Sequence, residues 1–225
     1  MEPSAPTDEE LMAEVRDHAA RLAASLPDLI PAAGLTLKSK LPFKALSIRE
    51  LLIHRVSELA SAAVENFEKG RVVAGVSLTR AVMETVAVLF ALDEQVTKFL
   101  QDKDAEDLDG FLMTTLMGSR SGGDLPVAIN ILTLIDRLHK EVEGARTVYD
   151  ALCEITHPNW AGLLGSFGTL DKPKYELQLG KRTNTRGNST GLSALSGALK
   201  TFEHYYNDLA NKIDEMNKYF EAGGK

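Results

Sequence analysis

Cysteine is nearly absent from this chain of 225 residues. Cys153 stands alone, so no internal disulfide framework can form, and a reducing, cytoplasmic setting is expected. The opening Met-Glu-Pro-Ser-Ala-Pro lacks a basic segment followed by an apolar run, so no signal peptide is expected. There is no phosphate-binding glycine loop, no zinc-finger spacing, no nucleophile elbow and no His-Glu-x-x-His. No internal repeat recurs, which argues against a solenoid. Positive charge is also short: 25 Lys and Arg against 32 Asp and Glu give a net charge of −7, opposing general attraction to a polyanion. The longest apolar stretch, Val72 to Leu92, carries Arg80 and Glu84 in its middle, so a buried helix is expected there and not a membrane span.

What is present is an ordinary globular balance, 44% hydrophobic and 25% charged residues, in a chain long enough to build a core without staples. Apolar residues recur at helical spacing almost throughout. Thr7-x-x-Glu10 is a capping box that opens a first helix, with Leu11, Val15, Ala19, Leu22 and Leu26 as its stripe. Residues 31–46 read as irregular. Ser47 and Glu50 predict the start of a second helix, with Leu46 stapled onto Leu51 and Gly70 as its left-handed cap. A third runs from Val72 through Leu92 into a polar continuation, and a fourth carries Leu108, Phe111, Leu112, Thr115 and Leu116. Asp124, followed by Pro126, predicts the start of a fifth. A sixth ends at His157, because Pro158 disfavours helical backbone before it. Residues 163–190 read as a small hairpin and loop inserted before the last helix. That helix has the strongest periodicity, from Leu192 through Leu199, Phe202, Tyr206 and Leu209 to Phe220 in alternating steps of three and four.

The expectation is therefore all-α: a single-domain bundle, 1–225, of six or seven helices with a long C-terminal helix and a minor β-hairpin. Residues 1–6 form a flexible N-terminus in this reading.

Chemistry is sparse. The five histidines fall on five different predicted helices, so no metal site and no cofactor is expected. Arg49 and His54 form an Arg-x4-His pair, but composition alone yields about 0.7 such matches by chance. On one regular helix they lie about 140° apart, so they converge only across a dimer seam. Ser77, Arg80 and Glu84 share one face of an otherwise apolar helix, where neither charge can stay unpaired. They answer either to each other, as a structural pair, or to a pocket that includes His157. Basic charge collects at Lys172, Lys174, Lys181, Arg182 and Arg186 against Glu176 alone, which is either an RNA contact or a solvated hairpin.

The segments Ser77-Leu-Thr-Arg80-Ala-Val-Met-Glu84-Thr and Tyr149-x-x-Leu-x-Glu-x-x-His157-Pro-Asn159-x-x-Gly162 resemble a family of uncharacterised bacterial helical proteins, distantly similar to the HEPN group. The resemblance spans roughly residues 72–165. It implies a helical bundle, a bacterial cytoplasmic origin and a role near defence or toxin systems, while Arg49 and His54 lie outside it. The functional expectation is a non-catalytic module that binds a protein partner or a second copy of itself. The alternatives are a metal-independent HEPN-like ribonuclease and a small-molecule or nucleotide binder at Arg80 and Glu84.

Overall fold

The capping box at Thr7 forms as read: the Thr7 hydroxyl accepts from the Glu10 N–H at 3.2 Å, and the Glu10 carboxylate accepts from the Thr7 N–H at 2.7 Å. It opens α1 (Asp8–Ala24). The computed structural model describes residues 5–121, 123–180 and 185–224. After α1 come α2 (Leu41–Glu68), α3 (Val72–Asp102), α4 (Ala105–Met117), α5 (Ile131–Glu141) and α6 (Ala145–Thr156). The one-turn α7 (Leu164–Phe167), the strands β1 (Gly168–Asp171) and β2 (Glu176–Leu179), and α8 (Thr185–Glu221) complete the order. The protein is all-α, with one small antiparallel hairpin.

Helices α3 and α8, of 31 and 37 residues, pack along each other as the spine. Helix α2 lies against both, α1 closes over α2 and α8, α5 and α6 cover α3, and α4 sits on α2. One contiguous apolar core runs through all of them. The terminal seam lies inside it: Leu192, Leu195, Leu199, Phe202, Leu209, Ile213, Met216 and Phe220 are buried, and only Tyr206 is half-buried. Helix α3 is long and apolar enough to cross a membrane by composition alone, yet half of its apolar window is buried against the bundle.

Three helix starts differ from the sequence reading. Helix α2 begins at Leu41, because burying Leu41, Pro42 and Ala45 favours about two further turns, and a proline costs nothing in the first turn. Ser47 is therefore interior and returns its hydroxyl to the Phe43 carbonyl, while Leu51 is 60% exposed and staples nothing. Helix α5 begins at Ile131 and not after Asp124. Asn130 caps it, and residues before it are drawn off by a bridge between Ser119 and Val127. Helix α8 begins at Thr185, so residues 185–190 are helical and not loop.

The junction of α2, α3 and α8 is set by one ring. A Cβ at Gly75 would meet the Phe67 ring at 2.7 Å, and a Cβ at Gly191 would meet it at 2.6 Å and Val76 at 2.9 Å. The ring occupies the space two side chains would take, and it is itself buried, so it has nowhere to move.

A polar ladder docks α1 onto α8. Asp8 accepts from Asn188 at 2.8 Å and from the Ser189 hydroxyl. Glu14 accepts from Ser196 at 2.8 Å and pairs with Lys200. Glu203 meets His18 at 2.7 Å and Arg21 at 3.5 Å. Lys200 beside Glu14 and His18 beside Glu203 hold both carboxyl groups below the usual glutamate range.

Two measurements check this description. Gly191→Ala should destabilise by about 1–3 kcal/mol through overpacking against Phe67, even though alanine is the better helix former. Gly197→Ala, on the same helix with open space at its Cβ, should instead stabilise by about 0.5–1 kcal/mol. Thermal melts of the two variants should thus move in opposite directions. The ladder carries a pH signature. A carboxyl group whose folded pKa is depressed adds stability above its unfolded pKa and loses it as pH falls through the folded value. The melting temperature should therefore fall below about pH 4.5, and Glu14→Gln with Glu203→Gln should flatten that acid limb.

Candidate functional site

The polar centre on α3 is built by the neighbouring helix α6. Arg80 and Glu84 lie one turn apart, Arg80 Nε standing 3.6 Å from Glu84 Oε1. Tyr149 on α6 donates its hydroxyl to the same Glu84 oxygen at 2.9 Å, and Arg80 Nη1 donates to the Thr156 hydroxyl at 3.3 Å. Both charged side chains are half-buried, 33% and 26% exposed. Burial, then the hydrogen bond to Glu84, push the Tyr149 phenol well above the usual tyrosine range. The phenol is therefore a fixed donor and not a base. Glu84 is held by Tyr149 and by the charge of Arg80, whose buried Nε makes no hydrogen bond, and the Cys153 thiol and Thr156 hydroxyl on α6 lie at the edge of the cluster.

His157 is not part of this cluster. It is exposed at the C-cap of α6, where its N–H bonds to the Cys153 carbonyl and its backbone turns extended before Pro158. The remaining residues of the His157-Pro-Asn159-x-x-Gly162 segment hold a turn. Asn159 accepts from the Ala161 and Gly162 N–H groups and donates to Glu154 at 2.8 Å. Gly162 sits where a Cβ would stand 2.0 Å from the His157 carbonyl oxygen. Leu152 is fully buried. The segment is thus a helix stop and a reversal built from backbone capping.

Arg49 and His54 do not meet within one chain. Arg49 lies over the Tyr206 ring, 3.5 Å from its centroid, donates to the Tyr206 carbonyl at 2.9 Å and pairs with Glu50. Tyr206 donates to Glu50 at 2.6 Å, which closes a buried link between α2 and α8. His54 is exposed on another face, against the Pro27 carbonyl at 2.9 Å. The basic group is spread out. Lys172 and Lys174 are exposed in the hairpin turn, Arg186 is exposed in the first turn of α8, and Lys181 and Arg182 lie outside the described residues.

A third buried polar cluster has no counterpart in the sequence reading. Asp93 on α3 takes Lys212 Nζ on both oxygens at 2.8 Å, and Lys212 also reaches Asp208 at 2.7 Å. Burial pushes the Asp93 carboxyl up despite the lysine. Burial alone would lower Lys212, but its bonds to Asp208 and Asp93 outweigh that and raise it.

Two concavities flank these clusters. An apolar groove of about 520 Å3 lies between α8 and the α5–α6 turn, floored by Met83, Val86, Leu138 and Val148. A second, of about 370 Å3, opens between α2, α3 and the α4–α5 connection and has Glu84, Arg55 and Arg120 on its walls. Arg55 and Arg120 carry no motif that marks them in the sequence; only the folding of the 118–130 connection onto α2 brings them together. Among the described residues no three His, Cys, Asp or Glu side chains converge as a metal site. No family model matches the chain, and no curated protein or solved structure matches it either.

The Glu84 cluster makes a graded prediction. Glu84→Gln keeps an acceptor for Tyr149 and should cost under about 1 kcal/mol. Glu84→Ala strands a buried tyrosine hydroxyl and should cost about 1–3 kcal/mol. Tyr149→Phe, which removes the donor, should fall near 1 kcal/mol in the same denaturant titration.

Proposed function

We propose that this chain is a non-catalytic helical module that associates with a second copy of itself through the arm formed by residues 160–179. One observation carries the reading. Nearly half of the large apolar side chains left in solvent fall in that stretch, among them Trp160 at 74%, Tyr175 at 94% and Leu179 at 81% exposure. Scattered exposed leucines are ordinary, but a contiguous apolar patch marks an interface.

The hairpin is built to present one face. Register pairs Leu170 with Leu177 and Gly168 with Leu179, so the leucines share a side, while Thr169, Gln178, Asp171 and Glu176 occupy the other. The side-chain-free Gly168 makes room for Leu164 and Leu177 against it, which ties the arm to α7. At the tip Pro173 follows Lys172 in a turn closed by the Tyr175 N–H on the Lys172 carbonyl at 3.3 Å. Tyr175 then adopts φ 54°, a conformation that costs a non-glycine residue roughly 1–2 kcal/mol. An exposed tyrosine held there gains nothing from its own chain.

A second copy is the occupant that size favours. A buried aromatic side chain covers roughly 150–250 Å2, so the arm's aromatic residues and leucines offer on the order of 800 Å2, the share a standard interface takes from each partner. At the tip Lys172 and Lys174 are balanced by Asp171, which pairs with Lys174 at 3.3 Å, and by Glu176, so the arm is near neutral and can meet its copy without charge repulsion. Two exchanged arms close a two-fold dimer.

Sedimentation of the wild-type chain at high micromolar concentration should give a dimer. Leu170→Asp combined with Leu177→Asp should give a folded monomer whose melting temperature no longer depends on concentration and falls only by what dimerisation adds, because the arm lies outside the core. A wild-type monomer at that concentration, or a dimer that survives the double substitution, overturns the reading.

A further inference from the structure

We propose that the cleft between α2, α3 and the α4–α5 connection is a binding site for a monoanionic carboxylate carrying an apolar tail. The inference is independent of the arm and goes beyond a purely structural module. At about 370 Å3 the cleft is in the size range of small-molecule sites, and its inner surface is apolar, from Ile48, Leu52, Val88, Leu116 and Ile131.

Two of its cations stand apart from the chain's own carboxylates. Arg16, Arg21, Arg49, Arg80, Arg137 and Arg146 each reach a carboxylate of the chain. Arg55, Arg71, Arg120 and Arg186 reach none among the described residues, and of these four Arg55 and Arg120 line this one cleft. Arg55 is also held in place. Its Nε donates to the Thr85 hydroxyl at 3.2 Å, and that hydroxyl is committed as a donor to the Ala81 carbonyl at 2.9 Å. Thr85 is buried, so the anchor is rigid. The anchoring uses the inner nitrogen of the guanidinium and leaves its two terminal NH2 groups for a ligand. A planar fork of this kind matches the two oxygens of a carboxylate.

The third charge on the wall, Glu84, selects the charge of the ligand. Among the side chains that line the cleft, Arg55 and Arg120 stand against Glu84, so the wall itself carries one net positive charge, which a monoanion neutralises; Arg80, which pairs with Glu84, lies outside that lining. A dianionic phosphate ester would set a second negative charge against Glu84. Glu84 itself cannot swing away, because Tyr149 and Arg80 hold it from the α6 side. The apolar floor then takes a tail, and a neutral molecule of the same length lacks the pairing that orients it.

Octanoate, 1-octanol and octyl phosphate, titrated calorimetrically into the full chain at fixed ionic strength, test the assignment. Octanoate should saturate one site per chain, and 1-octanol and octyl phosphate should each bind at least tenfold more weakly. Arg55→Gln and Arg120→Gln should each weaken octanoate about tenfold, as expected for loss of a charge-assisted hydrogen bond. Arg186→Gln, on an exposed turn elsewhere, should leave binding unchanged. Melting temperatures near that of the parent confirm that the variants are folded, and Arg55→Lys supplies a second variant that keeps the charge but loses the fork. No saturable octanoate binding, equal binding of 1-octanol, tighter binding of octyl phosphate, or wild-type affinity in the Arg55/Arg120 double variant would each overturn the proposal.

Discussion

The Phe67 ring seated between Gly75 and Gly191 fixes how closely α2, α3 and α8 approach at one end of the molecule. Protein interiors respond to a single methylene, so a ring that fills the space of two missing side chains defines both the spacing and the axial position of three helices together. At the far end of the same pair of helices, Phe99 stacks on Phe220 at 5.5 Å and meets Tyr219 edge-on at 5.7 Å. Between these two aromatic contacts the terminal seam of α8 has one register against α3, and α1, α5 and α6 pack on a surface already set.

Onto that apolar frame the chain adds three carboxylates with the same design. Glu50 is held by Arg49 and by Tyr206 from α8, Glu84 by Arg80 and by Tyr149 from α6, and Asp93 by Lys212 from α8. In each, a charge that would be costly alone is satisfied by a donor on a different helix, so each cluster is complete only when two helices sit correctly. Such clusters add less to net stability than the apolar core around them, but a slipped helix would strand them. The Arg80 and Glu84 pair belongs with these by geometry. It differs in having its outer edge on a cleft.

The helices were legible in the sequence where burial and periodicity agree. The α8 seam spaced at threes and fours is buried as spaced, and the Thr7 capping box forms at the residue read. Boundaries were legible only where local capping outweighs packing. Ser47 has the composition of a cap, yet the burial of Leu41, Pro42 and Ala45 carries the helix past it. Asp124 likewise yields to Asn130, because the bridge between Ser119 and Val127 is a contact across seven residues that no local pattern encodes. For the site, periodicity placed Arg80 and Glu84 on one face of α3 and required partners for them. It could not name Tyr149 or Thr156, which arrive from α6, nor bring Arg55 and Arg120 into one cleft, since those contacts depend on how the connection after α4 folds back. His157 stood out as a histidine before proline, and the structure uses that position for its backbone.

Trp160 is the chain's single tryptophan, and it stands at the root of the arm, away from the core. An indole so exposed emits in the native monomer much as it does in the unfolded chain. Intrinsic fluorescence is therefore nearly blind to melting of this bundle, and a flat fluorescence trace would say nothing about its stability. The same placement makes the unlabelled protein a spectroscopic reporter of whatever covers the arm, because only there can its emission move to the blue.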